Sequence, residues 1–63
     1  MELILNTYGV SLNREGESFV ITSADGRQRI PSVGITSIQI SRGAQITSDA
    51  VLLAIEHEIE VLF

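Results

Sequence analysis

Three glutamates spaced two apart, Glu56, Glu58 and Glu60, are the densest set of groups in this sequence with catalytic potential. Clustered carboxylates hold the divalent ions of metal-dependent nucleases. That chemistry needs side chains that converge. Here the run straddles the end of a predicted helix, and no second carboxylate-rich motif completes a shell. A solvated helix end accounts for the same residues, because charged side chains are rarely buried unless paired. His57, the single histidine, falls in the last predicted helical turn, where a cation complements the helix dipole. A general base needs an oriented partner within hydrogen-bond reach, and none is evident in the sequence. No catalytic, cofactor-binding or metal-ligating residue is therefore expected in these 63 residues.

Two features suit nucleic acid better. Arg27 and Arg29 alternate on one predicted strand and so share a face. Such a strip can touch phosphate, and it can equally be the charge that keeps an edge strand from aggregating. Tyr8 precedes Gly9 at the opening of a strand. An aromatic ring there can stack on a base or, being in phase with Val10 and Leu12, fill the core. The glycines match no phosphate-cradling loop, and the P-loop lysine is impossible because the chain has no lysine.

Composition narrows the remaining classes. There is no cysteine, which excludes a disulfide framework, thiolate zinc and a cysteine nucleophile. One histidine cannot supply a multi-histidine zinc shell. With 44% hydrophobic and 19% charged residues the chain has the balance of a packed domain. Four basic against eight acidic residues leave a net charge of −4, unfavourable for a free-standing nucleic-acid binder. No apolar run approaches the roughly 20 residues of a membrane span. Met1-Glu2 opens without a basic signal region, so no membrane association and a cytoplasmic location are expected.

The elements that must position these groups follow from periodicity. Leu3 to Leu5 is a short apolar run, and Tyr8, Val10 and Leu12 alternate with polar partners. Asn13 to Glu17 reads as a hairpin loop. Phe19 and Ile21 lie opposite Val20 and Thr22, and Ala24-Asp25-Gly26 supplies the next turn. Arg27 to Ile30 returns, and Pro31 ends that strand. Thr36, Ile38 and Ile40 form another alternating stretch, broken at Arg42-Gly43. Thr47 or Ser48 caps one helix with Asp49 in its first turn. Its run Ala50 to Ile55 is wholly apolar, so cover on most sides is expected. Ile59, Val61 and Phe63 resume a period of two. The fold class is mainly β with one helix (α+β), a small β-sandwich-like domain in the order β-β-β-β-β-α-β. Ending on Phe63 in mid-pattern, residues 1–63 read as a piece of a longer protein.

The order of motifs carries a resemblance. Leu3-Ile4-Leu5-Asn6, Tyr8-Gly9, Phe19-Val20 and Ile30-Pro31 come in sequence, followed by Ser37-Ile38-Gln39-Ile40-Ser41-Arg42-Gly43 and the capped helix Ser48 to Glu56. Essentially the whole chain resembles the N-terminal β-domain of the CRISPR-associated adaptation endonuclease, the integrase of spacer acquisition. The resemblance implies antiviral defence, with a metal-dependent DNA nuclease and integrase as the whole protein. Its Glu, His and Asp ligands for Mg²⁺ or Mn²⁺ would lie in a C-terminal helical domain that these residues do not contain. Glu56 and His57 do not match those ligand motifs. The implied partners are a second copy in a homodimer, DNA through the full-length parent, and the small ferredoxin-like adaptation protein. By the same resemblance Tyr8 occupies the position of a wedge that splays the end of a captured duplex. The competing reading is a stand-alone acidic protein–protein interaction module without a nucleic-acid role.

Overall fold

The computed structural model describes all of residues 1–63. Its elements are β1 (Glu2–Leu5), β2 (Ser11–Glu15), β3 (Ser18–Ser23), β4 (Gly26–Pro31), β5 (Ser37–Ile40), β6 (Gln45–Ile46), α1 (Ser48–Glu56) and β7 (Glu60–Leu62). Six strands precede the helix rather than five. The additional one, β6, is two residues long and too short to show a period. It pairs in parallel with Ser11 and Leu12 of β2.

Two sheets enclose the core. A three-stranded, all-parallel sheet has the order β1-β5-β7, and a four-stranded sheet has the order β4-β3-β2-β6. Alternation decides what each sheet buries. Leu3 and Leu5 of β1 stand opposite Ile38 and Ile40 of β5, and all four are buried. On the other sheet Leu12 and Phe19 point inward and are fully buried. Helix α1 packs against both β2 and β7.

The helix is covered on one stripe only. Ala50, Leu53 and Ala54, at the spacing of one helical face, are fully buried, whereas Leu52 and Ile55 are exposed. The apolar run therefore overstates its burial, because only two small sheets are available to pack against it. Thr47 is the N-cap, its hydroxyl accepting from the Ala50 N–H at 3.2 Å. At the other end Glu58 takes φ +56°. The Glu58 N–H donates to the Ile55 carbonyl at 3.1 Å and the Ile59 N–H to that of Ala54 at 2.8 Å, the paired bonds of a Schellman cap. Buried Ile59 then leads into β7, and Phe63 beyond it is exposed.

The first hairpin is tighter than the polar run Asn13 to Glu17 suggests. Asn13, Arg14 and Glu15 belong to β2, leaving Gly16 and Glu17 as the loop. Gly16 alone supplies the positive φ, +63°, as in the type II′ hairpins whose first loop position favours glycine.

Candidate nucleic-acid interface

Tyr8 is not part of the alternating strand. A turn ends at Gly9 and β2 begins only at Ser11, so the ring falls out of phase with Val10 and Leu12. It is 83% exposed, while Val10 and Leu12 are buried. The core reading of Tyr8 is thereby corrected: the turn inserted before β2 directs the ring to solvent.

The ring is nevertheless held. Gly9 (φ +85°) donates its N–H to the Gly43 carbonyl at 2.9 Å, tying the β1–β2 turn to the β5–β6 turn. A Cβ on Gly43 would lie 2.1 Å from Tyr8 Cδ1. The aromatic edge thus rests directly against the glycine, which also has φ +86°. Two constraints meet at Gly43: a left-handed backbone conformation that side chains disfavour, and no room for one. Next to the ring runs an open cleft of about 300 Å³, lined by Ile4, Leu5, Tyr8, Val10, Ile21 and Asp25 among others.

The four arginines divide by partner. Arg27 and Arg29 do share an exposed face of the edge strand β4, and both turn to one carboxylate. Glu15 accepts from Arg27 at 3.1 Å and from Arg29 at 2.6 Å. Arg14 contacts Glu56 at 3.1 Å and Glu17 at 3.3 Å. The hydrogen bond to Glu56 raises the Arg14 pKa above its ordinary value, with desolvation opposing and the Glu17 charge adding. Arg42, exposed and one residue from Gly43, has no carboxylate within ion-pair distance. Strand periodicity points to Arg27 and Arg29 and not to Arg42. What distinguishes Arg42 is the lack of a carboxylate partner, a tertiary property that no local pattern contains.

The acidic run does not converge. Glu56 faces Arg14, while His57 Nε2 lies 2.9 Å from Glu17 Oε1, a bond it makes as an N–H donor. That bond, with the Arg14 charge assisting, holds the Glu17 carboxyl below its ordinary value against the opposing effect of desolvation. Glu58 and Glu60 are exposed on the turn into β7 and on β7 itself. No three carboxylate or imidazole groups approach closely enough to hold a metal ion.

A match to the model of the CRISPR-associated protein Cas1 family runs over residues 3–63, nearly the whole chain. The chain belongs to the Cas1 family. Its fold is similar to that of TtCas1 in a DNA complex (TM-score 0.85, 24% identity), over 97% of this chain and 21% of that one. It is similar to TtCas1 in a second crystal structure (TM-score 0.83, 25% identity, 95% of this chain, 23% of that one). A casposase bound to its integration product also shares the fold (TM-score 0.69, 21% identity, 95% and 20%). No curated protein matches the sequence. The chain spans about a fifth of the length of these solved Cas1 and casposase chains. No helix in this Cas1 chain is long and apolar enough to cross a membrane. Glu56 is engaged with Arg14, and Glu17 with His57 and Arg14, so these side chains do not combine into a site for a divalent metal.

Proposed function

We propose that these residues form the N-terminal domain of a longer Cas1 integrase, which cuts and joins DNA in spacer acquisition. In this reading the domain contributes a dimerisation surface and a DNA platform, while Mg²⁺ or Mn²⁺ is bound by a C-terminal helical domain. By itself it is catalytically inert. Tyr8 carries the reading: a large aromatic ring 83% exposed and braced on Gly43 supports stacking on the last base of a splayed duplex. The family match and a fold shared with a Cas1–DNA complex support it. Arg27 and Arg29 take at most a secondary part, because Glu15 offsets their charge.

A second copy would cover the outer face of the parallel sheet, where half-exposed Ile4 and Leu62 flank Gln39 in register. The small ferredoxin-like adaptation protein and the cytoplasm complete the proposed setting.

The deciding experiment is Tyr8→Ala in the full-length protein. Affinity for a duplex with splayed ends should fall by about 1–3 kcal/mol, the worth of one base stack, with a smaller effect on fully paired ends. Unchanged affinity for splayed ends, per folded molecule, would overturn the stacking role.

A further inference from the structure

Resting on the stacking role of Tyr8, we propose that Arg42 is the phosphate-binding partner of that ring, and that Gly43 is the residue that positions the two together. The site is a corner built from two turns 34 residues apart in sequence, clasped by the Gly9 N–H to Gly43 carbonyl bond. Its elements are complementary to a nucleotide at a duplex end. The exposed ring offers a face to a base, and the guanidinium one residue from its glycine support offers charge and donors to the adjoining phosphate.

Partner assignment selects Arg42 among the arginines. A guanidinium paired with a carboxylate has its charge offset and its geometry committed, and Arg14, Arg27 and Arg29 are each in that position. Arg42 is not. The cleft beside Tyr8 is lined by Asp25 and not by Arg42, so the Asp25 charge disfavours phosphate within the cleft and favours a backbone path outside it. Gly43 acts indirectly. A Cβ there would displace the ring, so its role is to fix the stacking surface relative to the charge.

The test measures binding of the full-length protein to splayed-end and fully paired duplexes across a salt series. Loss of one phosphate contact lowers the slope of log affinity against log salt by about 0.9, equivalent to about fivefold in affinity at 0.15 M salt. Arg42→Gln should show that loss. Arg42→Lys should keep the slope, since a point charge suffices for phosphate. Arg29→Gln should lower the slope less than Arg42→Gln does. Gly43→Ala should keep the slope and lose the preference for splayed ends.

An unchanged slope in Arg42→Gln, with Tyr8→Ala still losing the splayed-end preference, would overturn the Arg42 assignment and leave the stacking role standing. A Tyr8→Ala protein that keeps the preference would remove the stacking role itself. If Gly43→Ala does not fold, the Arg42 variants still decide the phosphate contact.

Discussion

The sheet β4-β3-β2-β6 and the corner at Tyr8 treat the same residue types in opposite ways. In the sheet the aromatic Phe19 is fully buried, and two arginines share a single glutamate. At the corner Tyr8 stands out in solvent and Arg42 lacks a carboxylate partner. The difference teaches that availability for a ligand is set by what a side chain has already satisfied, not by its type. A buried ring and a paired guanidinium belong to stability, while an exposed, braced ring and a free guanidinium remain open to a partner.

The largest expected effect tests the aromatic half of this contrast. Phe19→Ala should cost about 3–5 kcal/mol of folding stability, the range for large aromatics truncated in a core. Tyr8→Ala should cost less than about 1 kcal/mol, because most of its surface is already wet. Chemical denaturation of the two variants reads both values. Equal losses would abolish the distinction between core and corner.

The electrostatic half is tested by Glu15→Gln. Removing that carboxylate frees Arg27 and Arg29 and makes the net charge less negative, so DNA affinity at low salt should rise, with a steeper salt dependence. If affinity and slope stay at wild-type values, those arginines contribute nothing even when released.

A smaller effect is expected at the helix end. Glu58 holds the left-handed conformation that Schellman caps reserve for glycine. Glu58→Gly should therefore raise stability by roughly 1 kcal/mol, the approximate cost of that conformation for a side chain. A lower melting temperature would show that the carboxylate has a compensating role.

The smallest effect concerns pH. Glu17 is held below its ordinary value of 4.5, chiefly by its hydrogen bond to His57. The sign follows from that direction. The contribution is complete above the unfolded value and disappears as pH falls through the lowered, folded value. Glu17→Gln should lose this contribution at neutral pH, a small loss because exposed pairs contribute little, and should converge with wild type as the pH falls below about 4.5 and through the lowered value. A difference from wild type that appears only at acid pH would contradict this account.

Legible in the amino-acid order are the mainly β class with one helix, the strand containing Phe19, a cap at Thr47 or Ser48 and the Arg27–Arg29 face. Each follows from a period, a cap or a turn within about ten residues, where backbone geometry acts directly. The order of motifs also carried the resemblance that the family match over residues 3–63 bears out. Tertiary structure alone decided the rest. Gly43 supports Tyr8 from another turn, β6 exists only through its pairing with β2, and α1 stays half uncovered because the sheets reach only one of its sides. Arg14 meets Glu56 across 42 residues, and Glu15 meets Arg27 across 12 and Arg29 across 14. Burial and charge pairing depend on which distant segments meet in space, and local periodicity carries no information about that meeting.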